Sequence, residues 1–178
     1  MEPHDNHTPT GRAPVQITAG SITATFTWAG DRWGHLITPL EAGEAAGWES
    51  CDAPWSPAND PRWPSSPVLV ELSRVEVPPA GAAGTPAIVG VGLAGRSHFS
   101  ASIAPDPHAA NALRFEIACR LHEPPVWLGS TYRAGGGRIQ LTAIDGATVL
   151  PRTVVWSYSI GPQGLFAVSG ATVSTVPT

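Results

Sequence analysis

The sequence predicts an all-β fold: an antiparallel β-sandwich or flattened barrel of about nine strands with a long Pro/Trp-rich loop. Three observations predict it. Apolar and polar residues alternate with a period of two through most of the chain. Almost no stretch repeats with a helical period, and 19 glycines and 19 prolines interrupt the strands at short intervals. A length of 178 residues fits one domain with a core of its own. The expected division is a disordered N-terminal arm over 1–13, a single β domain over 14–170 and a frayed C-terminal tail over 171–178.

The arm, MEPHDNHTPT onward, is polar. Its His4, Asp5 and His7 are metal-ligand types, but a loose arm loses about 1–2 kcal/mol of backbone entropy per residue ordered. A solvated tail is the expectation.

Residues 15–38 give the clearest hairpin. Ile22, Ala24, Phe26 and Trp28 share one parity, and Ser21, Thr23, Thr25 and Thr27 share the other, as in a half-buried strand. Gly30-Asp31 suits a two-residue type II′ turn, with glycine at the first central position. That register sets Trp28 across from Trp33, Phe26 across from His35 and Ala24 across from Ile37. His35 therefore falls among apolar side chains, where a satisfied core or rim histidine is expected.

Residues 39–67 hold six prolines and three of the seven tryptophans, Trp48, Trp55 and Trp63. Each tryptophan offers about 150–250 Å² to bury, so the stretch reads as a Pro-stiffened flap laid over a sheet face. Glu41 to Ala46 fits one helical turn. Residues 68–77 form a strand whose apolar parity switches between Leu72 and Val75. The switch predicts a bulge near Ser73-Arg74 or a strand crossing between sheets.

Residues 88–122 show the most regular alternation. A three-residue loop at 93–95 or 94–96 places Val89, Val91 and Leu93 on the same apolar face as Phe99, Ala101 and Ile103, then Leu113, Phe115, Ile117, Cys119 and Leu121. The opposite face then carries Gly90, Gly92, His98, Ser100, Glu116 and Arg120, with Ser100 near Glu116 and Ser102 near Arg114. Glycine in a strand marks close approach by another backbone or a ligand. These six residues are the candidate ligand site. A solvated sheet face, or one covered by the Pro/Trp flap, is the competing reading.

Residues 126–137 read as a loop, with Arg133, three glycines and Arg138 as either an anion-binding nest or a flexible hairpin. Three short strands follow at 138–144, 153–160 and 165–168, separated by Asp145-Gly146 and by residues 161–164.

Composition narrows the functions. The net charge is −4 and all ten basic residues are arginine, which argues against a broad nucleic-acid or anionic-membrane surface. No apolar run reaches about 18 residues, so no transmembrane helix is expected. The start lacks a basic and then apolar signal pattern, which points to a cytoplasmic protein with reduced Cys51 and Cys119. No G-x-S-x-G, H-E-x-x-H or phosphate-binding glycine motif occurs, and no cofactor or metal is expected.

The motifs GDRWGH, WPSSPVLVEL, AGRSHFSAS, FEIACR and LGSTYR resemble a small family of hypothetical proteins from planctomycete bacteria, over about residues 15–168. That family has no assigned activity, so the resemblance implies no catalytic residue. The expected function is a non-catalytic binding module for a small polar ligand or a protein partner. Two alternatives stand beside it: an enzyme using His98, Glu116 and Ser100 as base, orienter and nucleophile, and a structural or self-assembling protein.

Overall fold

The computed structural model describes residues 12–40, 47–51, 60–78, 84–144 and 149–176. Within them the chain is all-β, with no helix and thirteen strands where about nine are expected. In order these are β1 (Val15–Ala19), β2 (Ile22–Trp28), β3 (Trp33–Pro39), β4 (Trp48–Ser50), β5 (Glu71–Val77), β6 (Thr85–Ala94), β7 (Ser97–Pro105), β8 (Leu113–Leu121), β9 (Gly129–Ala134), β10 (Gly137–Ala143), β11 (Arg152–Gly161), β12 (Gly164–Ser169) and β13 (Ala171–Val176).

The strands form two antiparallel sheets. One runs β1-β2-β3-β4-β9-β10-β13 and the other β12-β11-β8-β7-β6-β5. Their inner faces share one core, in which Phe26, Ile37 and Leu141 of the first meet Ile88, Phe115 and Trp156 of the second. Each fully buried side chain of this kind contributes roughly 1.5–3 kcal/mol.

The β2–β3 hairpin follows from its turn chemistry. Trp28 pairs with Trp33, Phe26 with His35 and Ala24 with Ile37, and Gly30 takes a φ of +100° at the first central position. β1 pairs with β2 as a separate strand. Arg12, expected within the arm, is already placed: its guanidinium lies 3.9 Å from the Trp28 ring centre and donates to the Val70 carbonyl at 2.7 Å. His4, Asp5 and His7 lie outside the described residues, as do Trp55, the 41–46 turn and Asp145-Gly146.

The flap does not lie over a sheet face where it is described. Trp48 to Ser50 add β4 to the first sheet, and Trp63 is 1% exposed inside the core. From there the chain crosses between the sheets. The Trp33 amide donates to the Leu69 carbonyl at 2.8 Å, and the Val70 amide donates to the Val91 carbonyl at 2.8 Å. β5 begins only at Glu71 and pairs with β6 in unbroken register, with no bulge at Ser73-Arg74. The parity switch after Leu72 reflects Val75 and Val77 standing on the opposite face of one regular strand, Val77 51% exposed.

Two further expectations are corrected. Residues 129–134, expected as loop, are β9, buried from Gly129 to Tyr132. Distant groups partner this strand: Trp156 Nε1 donates to Ser130 Oγ, and the Thr131 backbone exchanges hydrogen bonds with Ser66 Oγ. Residues 171–176, expected as a frayed tail, are β13, paired along its full length with residues 138–143 of β10.

Candidate functional site

The outer face of the six-stranded sheet holds the candidate site, with a different membership from the one parity suggested. The β6–β7 connection is a two-residue turn, Gly95-Arg96, between paired Ala94 and Ser97. This inverts β6. Val91 now pairs with Ser100 and Leu93 with His98, so the valines and Leu93 stand on the outer face, Val91 at 50% and Leu93 at 56% exposure.

Gly90 and Gly92 are therefore not site residues; they face the core. A Cβ at Gly92 would overlap the Val68 carbonyl, and one at Gly90 would sit 2.7 Å from Leu72 Cδ2. The two glycines make room for the crossing segment 68–70. Close approach by another backbone is the correct reason for them, on the other side of the sheet.

His98, Ser100 and Arg120 do come together. β7 and β8 pair His98 with Arg120, Ser100 with Ala118 and Ser102 with Glu116. Small side chains at Ser100 and Ala118 leave a depression beside Val91 and Leu93 on β6. The result is a shallow groove of about 560 Å³, floored by Ser100 and Ala118, with His98, Arg120 and Thr153 at one end and Glu71 at its β5 side. None of the described flap residues 47–51 and 60–67 lines it.

The electrostatics of the groove are uneven. Arg120 is exposed and donates weakly to Thr153 Oγ1 at 3.4 Å, and among the described residues it joins no ion pair. The His98 ring lies 5.8 Å from that of His122. Sequence reasoning missed Val91, Leu93 and Thr153 as groove residues. The turn dipeptide Gly95-Arg96 was the signal that could have found the first two, since glycine at the first central position suits a type II′ hairpin.

Glu116 stands apart. It lies one cross-strand row beyond Ser100, paired with Ser102, and its carboxylate accepts from Arg114 Nε at 3.1 Å. No hydrogen bond joins His98 to Ser100 or to Glu116. Among the described residues no group of three His, Cys, Asp or Glu side chains is placed to hold a metal, so His98, His122 and Glu116 do not converge as one. The glycines after Arg133 form a hairpin turn, with Gly135 and Gly136 both at positive φ, and Arg133 is paired with Glu49 at 2.8 Å.

The remaining polar groups are structural. Asp106, in the β7–β8 loop, accepts from Ser159 Oγ and from the His108 amide at 2.8 Å. Burial works to raise that carboxyl, but these bonds and nearby Arg114 hold it below the usual range. Cys119 is fully buried, and burial pushes its thiol up to about 12 against the effect of the Ser97 hydroxyl. Cys51 and Cys119 are both buried and are not joined in a disulfide. Among the described residues no tryptophan is exposed and no helix is long and apolar enough to cross a membrane. No family model matches this chain, and neither does any curated protein or solved structure.

Proposed function

We propose that the protein is a non-catalytic binding module, and that the groove on its outer six-stranded sheet takes a small polar ligand carrying an anionic group. The observation that carries this reading is Arg120. An exposed guanidinium that joins no ion pair among the described residues, beside His98, is a ready partner for a carboxylate or similar oxyanion. The apolar walls at Val91 and Leu93 suit a short hydrocarbon body, and the carboxylate of Glu71 at the other side favours one orientation of it. The separation of Glu116 from His98 and Ser100 supports binding over an enzyme built on those three. The planctomycete resemblance adds no activity to this reading.

Amide NMR during titration with butyrate, benzoate and N-acetyl amino acids tests it. Shifts should concentrate at His98, Ser100, Ala118 and Arg120, and Arg120→Ala should remove them. The uncharged amides of the same compounds should bind more weakly. Equal shifts from the amides, or shifts centred elsewhere on the chain, would overturn the proposal.

A further inference from the structure

Four strands end the two sheets, and they are not equally protected. At one end of the six-stranded sheet, β5 carries exposed Glu71, Arg74 and Glu76, and Arg12 takes up the Val70 carbonyl just before it. On the other sheet, β1 buries Ile17 and Ala19 and exposes Gln16 and Thr18, while β13 exposes Val173 among Thr172, Ser174 and Thr175. Charge and polar side chains of this kind keep edge strands from pairing with other chains.

β12 lacks that protection. It ends the six-stranded sheet with the sequence GLFAVS, which has no charge and no proline. Every residue from Phe166 to Ser169 is exposed, Phe166 at 54% and Val168 at 45%. Phe166 pairs with Ser159 on the outer face, and a bulge sets Val168 and Ser169 against Ser157. Val155, 56% exposed on the neighbouring strand, extends the same apolar strip. Among the described residues, β12 is hydrogen-bonded as a strand only to β11.

We propose that β12 pairs antiparallel with β12 of a second copy, so that the six-stranded sheet continues across a two-fold axis. A charge-free strand is compatible with its own copy, and Phe166 and Val168 of both chains would then cover one another. Pairing β12 with β5 of another molecule would instead bury Glu71, Arg74 and Glu76 and propagate an open filament. The bulge limits regular pairing to residues 164–167, so the interface is small and the dimer reversible. His98, Ser100 and Arg120 of the groove lie on β7 and β8, separated from β12 by β11, and stay open in both copies.

Sedimentation velocity of the full chain between about 1 and 300 µM, the range in which a small interface assembles, tests the proposal. The mass should rise from 18.5 kDa toward twice that value and stop there. Phe166→Lys and Val168→Lys should each hold the chain at the monomer mass, with an unchanged circular dichroism spectrum. Val77→Lys, on the opposite edge, should leave the dimer intact. Hydrogen exchange at 165–169 should slow with concentration in the parent chain alone. A monomer across the whole range would overturn the proposal. So would a dimer that survives both lysine variants, or masses that keep growing.

Discussion

The phenol oxygens of Tyr132, on β9, and Tyr158, on β11, lie 2.8 Å apart, one reaching from each sheet into the shared core. His35 Nε2 sits 2.9 Å from the same Tyr132 oxygen, so a single hydroxyl joins β3, β9 and β11. Phe115 stacks on both the His35 and the Tyr158 rings, at centroid distances of 5.5 and 5.1 Å. A buried polar group is stabilising only while it is partnered, and Tyr132 partners two others.

Tyr132→Phe should therefore be more damaging than its single lost oxygen suggests. It strands the His35 ring, at roughly 1–3 kcal/mol, and takes from the Tyr158 hydroxyl one of its two partners, the other being Ser130. Tyr158→Phe leaves the His35–Tyr132 bond intact and should cost the lower end of that range. Urea unfolding of the two variants measures the difference, and equal losses would show that the hydroxyl at position 132 is not the hub.

Burial pushes the His35 imidazole down to about 4. The native state thus keeps it neutral where an unfolded chain, with an ordinary value near 6.5, already binds a proton. The unfolded state holds more protons between about pH 4 and 6.5, so stability rises with pH across that window and levels off above it. The slope is bounded by about 1.4 kcal/mol per pH unit, and the partial exposure of His35 in the shallow depression beside Gly34 and Ser50 reduces it. Imidazole ¹⁵N shifts of native His35 should stay those of a neutral ring at pH 5.5, and titration near 6.5 would contradict its placement.

Gly92→Ala forces a methyl group onto the Val68 carbonyl, which is backbone and cannot rotate away. A loss of about 2–4 kcal/mol is expected from overpacking of this kind. Gly90→Ala meets the tip of the Leu72 side chain, which has other rotamers, and should cost less than half as much. Denaturant midpoints of the two variants decide it. A harmless Gly92→Ala would mean the crossing segment does not pass there.

These glycines also show what the sequence could and could not convey. Alternation at Val89, Val91 and Leu93 correctly marked a strand, but a period of two looks the same with either face inward. Assigning the valines to the core used the rule that apolar residues go inside, which fails in one direction because folded surfaces remain largely apolar. The inner side of β6 was already occupied by residues 68–70, a contact from outside any local window. β9 was hidden for the opposite reason: Ser130, Thr131 and Tyr132 are buried by virtue of distant partners, Trp156, Ser66 and His35. The β2–β3 register and the His98–Ser100–Arg120 neighbourhood were legible because turn chemistry and strand parity fix them locally. Glu116 fell one row away from Ser100 because the seven-residue loop 106–112 leaves its own register open.

Cys119 illustrates the reliable side of that reasoning. Its place on the inner parity of β8 predicts a packed thiol, and it is fully buried between the sheets. With its thiolate disfavoured up to about pH 12, native protein should react negligibly with a thiol reagent at pH 8 at this position. Denatured protein should titrate both of its cysteines, and peptide mapping separates Cys119 from Cys51. Rapid native labelling of Cys119 would place it elsewhere.

His98→Ala and Arg120→Ala separate a binding role from a structural one. Both side chains are exposed on the outer face, neither supports the core, and Arg120 makes only a long contact to Thr153. Each change should alter stability by only about 0.5 kcal/mol, as for surface positions generally. Carboxylate binding should respond differently. Arg120→Ala removes the charge-assisted partner and should weaken it at least tenfold, which corresponds to about 1.4 kcal/mol. Arg120→Lys keeps the charge but not the planar fork, so it should recover part of the loss and no more. A loss of several kcal/mol in stability would instead mean that these residues belong to a buried network. The groove would then be a covered part of the fold, with Arg120 answering to a partner inside the chain.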